Sequence, residues 1–353
     1  MRPPSPLTRR QLFYSGLAHA TCVAGIAERA YAQTLPSTPF ATVETIFRTA
    51  IQANKMPGAV AAIGHQGRMV WHGVFGQRAQ IPAAEPMTWN TIFDMASMTK
   101  VLITAPAVMQ FYERGLISLD TPACKYLPAF AANGKQDITI RQLLTHYSGL
   151  PPDLDLSFAW QGKQSAIQMV MDTRPQTRPG EKFVYSDINF ITLGLIVERL
   201  CGQSLASYAT EHILKPLGLK ASFFCPADSL RPSIAPTQYD ESGHMLRGVV
   251  HDPTTRRMGG VAGHAGLFSC AQDCVTYATA LLDKLAGLPS PFPLQAKTLY
   301  LMSTTQQPAG KTDLRGLGWD LATHYSTARA AYFPASSFGH TGFTGPSLWL
   351  VPN

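Results

Sequence analysis

The stretch Phe93-Asp94-Met95-Ala96-Ser97-Met98-Thr99-Lys100 constrains this chain more than any other. Ile92 and Phe93 read as a short apolar strand that runs into small residues. From Ser97 onward, Val101, Leu102, Ala105, Val108, Met109 and Tyr112 repeat at helical spacing, and Gly115 offers a stop. Positions i and i+3 share a helix face, so the Lys100 amine can reach the Ser97 hydroxyl. A hydroxyl becomes a useful nucleophile only when a base takes its proton, and a desolvated lysine can serve. The competing reading is a helix N-cap serine followed by a solvated lysine. Ser97 is the only serine in the chain with a lysine three places on.

Composition limits what such a pair can belong to. With 353 residues, 45% hydrophobic and 14% charged, the chain can bury one large core or two interlocking ones, and no apolar run is long enough to span a membrane. Part of the +7 net charge sits at Thr8-Arg9-Arg10-Gln11-Leu12-Phe13, ahead of a modestly apolar segment ending at Ala30-Tyr31-Ala32. That order reads as a twin-arginine export signal over residues 1–32, with a periplasmic or secreted destination; a disordered basic tail would explain the arginines but not the Ala-x-Ala. Removing Arg2, Arg9, Arg10, Arg29 and Glu28 with the signal leaves +4, and no lysine or arginine cluster points to nucleic acid. Cys124, Cys201, Cys225, Cys270 and Cys274 then remain. An odd number without C-x-x-C argues against zinc and against a disulfide scaffold, although Cys270 and Cys274 could face each other on a helix.

The rest of the chain alternates between strand and helix signals. An amphipathic helix is expected over Thr38 to Lys55, then a hairpin of Gly58 to Gly64 and Met69 to Phe75 across His65-Gln66-Gly67-Arg68. Helices follow from Ile138 with Thr139 as cap, over Ser165 to Asp172, from Ile188 to Leu200 with Gly202 as stop, and over Leu205 to Leu214. His146 and Ser148, at a helix end among turn residues, read as structural. Residues 219–258 are rich in proline and read as a surface excursion, and Met258 to Ser269 is glycine-rich around His264. His251-Asp252 and His264 lack metal-ligand spacing and read as loop contacts, so no metal site and no cofactor are expected. Helices over Gln272 to Leu285 and Gln295 to Met302 precede strands at Gly316 to Ala322, Tyr332 to His340 and Ser347 to Val351. The last strand has no following partner, so the chain reads as truncated at its C-terminal end.

Two more motifs join the first. In Tyr185-Ser186-Asp187, Asp187 is expected to cap the helix from Ile188, and the Tyr185 oxygen can carry a proton between nucleophile and leaving group. His340-Thr341-Gly342-Phe343 is either a glycine-rich turn or a strand edge whose amide completes an oxyanion hole with the Ser97 N–H. Ser-x-x-Lys, Tyr-x-Asn/Asp and Lys/His-Thr-Gly in this order resemble the serine β-lactamase and penicillin-binding superfamily: class C β-lactamases, the related DD-peptidases and the family VIII esterases. The phrases Leu143-Leu144-Thr145-His146-Tyr147-Ser148-Gly149-Leu150 and Gly260-Val261-Ala262-Gly263-His264-Ala265-Gly266 share in the likeness, which covers nearly all of residues 40–353.

The resemblance implies an α+β fold, an antiparallel sheet flanked by helices, with residues 33–115 and 265–353 in an α/β domain and 116–264 as an inserted, mostly helical domain. It implies Ser97 as acylated nucleophile, Lys100 and Tyr185 as shared general base, the Ser97 and Phe343 amides as oxyanion hole, and Asp187, His340, Thr341 and Gly342 at the substrate. The expected partner is a small-molecule ester, β-lactam or muropeptide, with esterase or DD-peptidase activity favoured over a non-catalytic penicillin-binding or scaffold role. Two departures lean away from efficient β-lactam hydrolysis. Asp187 stands where lactamases usually have Asn, and an ionised carboxylate cannot donate to a substrate amide carbonyl; it would also hold Lys100 charged. His340 stands where many members have Lys, and is expected to anchor a substrate carboxylate only when protonated.

Overall fold

In the computed structural model the described residues are 40–325 and 329–352; the export signal read over residues 1–32 lies outside them. The first amphipathic stretch forms α1 (Ala41–Gln52), which packs Phe47 against Phe75 with ring centroids 4.9 Å apart. The hairpin follows as β1 (Gly58–His65) and β2 (Arg68–Ala79), turning through Gln66 and Gly67, both at positive φ. β3 (Glu85–Pro86) pairs with the end of β2, and β4 (Ile92–Asp94) leads into the Ser97 turn. The helix expected from Ser97 begins just after it. A wide i→i+5 turn, Lys100–Thr104, passes into α2 (Ala105–Glu113). Wide turns of this kind are rare in helices and recur at functional sites.

The middle of the chain is mostly helical. Thr139 and Gln142 form a reciprocal capping box at the start of α3 (Ile140–Leu144). After α4 (Lys163–Asp172) comes α5 (Asp187–Cys201), stopped by Gly202 in the left-handed conformation. Ile188, Phe190, Ile191, Leu193, Ile196 and Val197 are all buried, so α5 is covered on every side and forms the axis of the core. Burying each such side chain contributes about 1.5–3 kcal/mol. α6 (Leu205–Ala209) continues into a second wide turn, Thr210–Leu214. Asp187 does not cap α5 as expected: extended Ser186 is the N-cap and Asp187 is the first helical residue, which turns its carboxylate inward toward Lys100.

The excursion expected over residues 219–258 is instead tied to the core. It holds β5 (Phe223–Phe224) and α7 (Pro253–Arg257), and Ile234 bridges to Ile92. β6 (Leu267–Cys270) then leads to α8 (Ala271–Leu285) and α9 (Ala296–Ser303). The chain returns through β7 (Leu314–Arg315), β8 (Asp320–Ala322), β9 (Phe338–Thr341) and β10 (Ser347–Leu350). Two strand expectations shorten: Gly318 at φ 90° breaks 316–322, and the strand expected from Tyr332 begins only at Phe338. The strands form three antiparallel sheets, ordered β1-β2-β3, β10-β9-β8-β7 and β4-β6-β5. The five described cysteines are free thiols, Cys270 closing β6 and Cys274 lying in α8.

Candidate active site

Ser97 sits where β4 turns into helix, and the turn is strained. Ala96, just before it, has φ 44°, a region a residue with a Cβ seldom occupies. Asp94 holds it there: one carboxylate oxygen accepts from the Ala96 amide at 2.8 Å and the other from the His251 amide at 2.6 Å. Asp94 is buried, and burial raises its pKa to about 6 against the opposing pull of those two amides.

Lys100 is fully buried one turn on, and its Nζ lies 2.8 Å from Ser97 Oγ. The same nitrogen is 2.6 Å from Asp187 Oδ1 and donates to the His264 carbonyl at 3.1 Å; the Tyr185 phenol is a further partner. Burial pulls the Lys100 pKa down, but Asp187 and Tyr185 outweigh it and the net shift is upward. An ammonium here has donors for Asp187, His264 and Ser97. A neutral amine would keep the first two bonds and turn its lone pair toward the serine hydroxyl.

The third motif closes on the same turn. Gly342 packs so tightly that a Cβ would stand 2.6 Å from the Met95 carbonyl oxygen. Two residues on, Thr344 Oγ1 donates to the Asp94 carbonyl at 2.7 Å. Phe343 is therefore held between two anchors to the Asp94–Ala96 turn that leads into Ser97. The Ala96 and Met98 amides are taken by Asp94 and Met95, whereas the Ser97 and Phe343 amides meet no acceptor among the described residues. Two unclaimed N–H groups at a nucleophile can hold an oxyanion. The Phe343 ring is 83% exposed and stacks on His251, centroids 5.1 Å apart.

His340 is buried in β9, and its Nδ1 donates to the Thr341 carbonyl at 2.7 Å. Burial first, then the Arg315 and Lys100 charges, hold its pKa well below the usual histidine range. His340 is thus neutral, and the expectation that it becomes a cation on mild acidification is corrected. Arg315, buried behind it, donates to the Gly318 carbonyl at 2.6 Å. No pattern marks this cation in advance, because a single arginine on a short strand has no periodicity to read.

Four residues read as structural or as loop contacts lie near the site. His146, left-handed at φ 60°, stacks on Tyr185, while Ser148 donates to Asn189 Oδ1 at 2.6 Å. His264 and Asp252, read as loop contacts, form a 2.8 Å pair beside Asp187. Spacing in sequence could not reveal this, since Asp187, Asp252 and His264 come from three separate segments.

A family model described as Beta-lactamase matches residues 43–353. The chain is 32% identical over 298 residues to a "Putative D-alanyl-D-alanine carboxypeptidase" of Escherichia coli K12, covering 75% of this chain and 67% of the relative. A protein of the same description from Salmonella schwarzengrund is 32% identical over 297 residues, with the same coverage of each chain. The fold is similar to the octameric penicillin-binding protein homologue from Pyrococcus abyssi (TM-score 0.71, 23% identity, covering 88% of this chain and 70% of that one). It is equally similar to EstCE1, a hydrolase with promiscuous acyltransferase activity (TM-score 0.71, 20% identity, covering 88% and 89%).

Proposed function

The chain belongs to the β-lactamase family and is a hydrolase of that type, and from that premise we propose that it is an exported serine hydrolase that works through an acyl-enzyme, with neutral acyl esters as favoured substrates. The observation that carries this reading is the 2.8 Å approach of Lys100 Nζ to Ser97 Oγ at a strained turn. Export rests on Arg9-Arg10 and Ala30-Tyr31-Ala32.

In this mechanism neutral Lys100 takes the Ser97 proton as Oγ attacks the substrate carbonyl carbon. The carbonyl oxygen gains the charge and is held by the Ser97 and Phe343 amides. Collapse breaks the bond to the alcohol, which leaves with a proton delivered through Tyr185 from Lys100. Water then repeats the sequence on the acyl-enzyme, releasing the acid and restoring Ser97.

Three features favour neutral esters. His340 is uncharged and gives a substrate carboxylate no fixed cation. Asp187 accepts but does not donate when ionised, so it cannot meet an amide carbonyl. Phe343, exposed over His251, offers apolar surface to an acyl or alkoxy group. A second reading, D-alanyl-D-alanine carboxypeptidase, is favoured by the relative at 32% identity.

The test is labelling with a fluorophosphonate probe, with turnover of p-nitrophenyl butyrate, nitrocefin and a D-Ala-D-Ala peptide measured beside it. Labelling and ester turnover should vanish together in Ser97→Ala. Failure to label the wild-type protein would support the non-catalytic penicillin-binding alternative and sink the hydrolytic mechanism.

A further inference from the structure

Behind the nucleophile lies a second layer of charge. His264 is 1% exposed, and its Nε2 is 2.8 Å from Asp252 Oδ1 and 3.0 Å from Thr255 Oγ1. Asp252 is fixed as the cap of α7, its Oδ1 accepting from the Thr255 amide at 2.6 Å. Asp187, Asp252 and His264 bring ligand atoms within 4.8 Å of one another. The His264 carbonyl also accepts from Lys100 Nζ, so one residue touches the catalytic amine by its backbone and the Asp252 carboxylate by its ring.

We infer that Asp252 and His264 are positioning residues: a buried carboxylate–imidazolium pair that offsets the Asp187 charge and so leaves Lys100 able to give up its proton. The inference rests on the proposed role of Lys100 as base.

Charge balance carries the argument. Asp187 alone, 2.6 Å from Lys100, would lock the amine as an ammonium. An imidazolium within 4.8 Å of the Asp187 carboxylate weakens that hold and repels the ammonium directly. Asp252 in turn supplies the anion that keeps the imidazolium charged: although burial opposes it, His264 is shifted upward by Asp252 and Asp187, with Lys100 pulling the other way. Two further acids face the group: Asp94, which holds the His251 amide next to Asp252 and is raised partly by the Asp252 charge, and Asp153, from the loop between α3 and α4. Burial raises Asp153 to about 6, and its Oδ1 accepts from Thr254 at 3.1 Å. His264 Nδ1 has no hydrogen-bond partner among the described residues, so a proton there meets no acceptor and the imidazolium depends on the Nε2 contact with Asp252.

The test reads charge rather than stability. In wild type, kcat/KM on p-nitrophenyl butyrate should rise with pH along an acid limb set by Lys100. His264→Gln leaves Asp187 and Asp252 uncompensated and should move that limb up by about one pH unit, roughly tenfold in kcat/KM on the limb. The double variant His264→Gln/Asp252→Asn removes both charges and should bring the limb back toward wild type, which a purely structural role would not do. An unmoved limb in the single variant, or a double variant displaced as far as the single, overturns the inference. Should either variant fail to fold, ¹⁵N-histidine NMR of the wild-type protein decides: both His264 nitrogens should be protonated at about pH 7.5, and a neutral ring overturns the pair. Loss of wild-type activity in chelator, restored by a divalent cation, would also overturn it, since a metal would then occupy the Asp187–Asp252–His264 triangle. Labelling of Ser97 by the fluorophosphonate probe separates the outcomes. A protein that labels but fails these tests keeps its hydrolytic mechanism, and one that does not label loses both.

Discussion

The imidazole of His146 lies against the phenol of Tyr185, with ring centroids 4.4 Å apart and planes 28° from parallel. His146 is buried at the end of α3 and accepts the Ser186 amide on Nδ1 at 3.0 Å, with the Asn189 side-chain amide 3.2 Å away. Burial, then the charges of Arg315 and Lys100, hold its pKa well below the usual range, so it supports Tyr185 as a neutral ring. His146→Phe keeps a flat ring but removes the acceptor. The orphaned Ser186 amide should cost about 1–3 kcal/mol, read as a lower unfolding midpoint in urea. Ester turnover should fall with it, because Ser186 separates Tyr185 from Asp187. Unchanged stability would mean that the Nδ1 acceptor is dispensable.

Tyr185→Phe is the complementary case. It keeps the stack on His146 and removes only the oxygen that partners Lys100. The chemical step should slow by roughly 10²–10⁴-fold, the scale of a positioned acid–base group, while the unfolding midpoint stays within experimental error. Single-turnover acylation measures this directly, and wild-type rates would remove Tyr185 from the proton path.

The chain's own pattern made the skeleton legible. Thr139 announced a helix cap and Gly202 a helix stop, and the three motifs read in order come together around Lys100 and the Ser97 turn. Periodicity reports one element at a time, so it could not show that residues 219–258 fold back on β4 through Ile234 and set His251 under Phe343. Nor could it give charge states. His340 reads as a titratable anchor until the structure buries it near Arg315; of the two expectations for Asp187, the cap passes to Ser186 while the approach to Lys100 is met.

Gly263 ties the glycine-rich loop to α5. A Cβ there would stand 1.9 Å from the Phe190 carbonyl oxygen, a contact that backbone alone can relieve. Gly263→Ala should therefore destabilise by at least about 1–3 kcal/mol. Thr104 donates to the Gly263 carbonyl at 2.6 Å and Lys100 to the next one, so displacing the loop also moves the amine. Ester turnover should drop even at temperatures where circular dichroism shows the variant fully folded; full turnover there would uncouple the loop from Lys100.

Asp94 gives the fold a pH signature. Its pKa of about 6 lies above the unfolded value of 3.8, so the folded state favours the protonated form. The stability it contributes is fully present below about pH 4 and is lost as pH rises through about 6, a change on the order of 3 kcal/mol. Asp94→Asn cannot accept from both Ala96 and His251 and should be less stable than wild type at about pH 4. The gap should narrow by pH 7, because the variant has no charge to bury. Thermal unfolding of both proteins across this range checks it, and a gap that widens with pH would contradict the assignment.

Asp187 is where substrate choice and base strength meet. Together with Tyr185 its carboxylate outweighs the burial that would otherwise make Lys100 a ready base, so Asp187→Asn should lower the Lys100 pKa and move the acid limb of kcat/KM to lower pH. The same change supplies an N–H donor in place of an acceptor, and turnover of nitrocefin should rise relative to p-nitrophenyl butyrate. Adding His340→Lys would be a poorer test, since the new ammonium would be buried near Arg315 and Lys100, the two charges that already depress His340. For the same reason, a carboxylate-bearing ester should show no tightening of KM relative to its neutral analogue between about pH 8 and 6, where an exposed histidine would titrate. A tightening there would mean that His340 does become a cation. A nitrocefin-to-ester ratio unchanged in Asp187→Asn would move selectivity away from charge and onto the shape of the cleft beside Phe343.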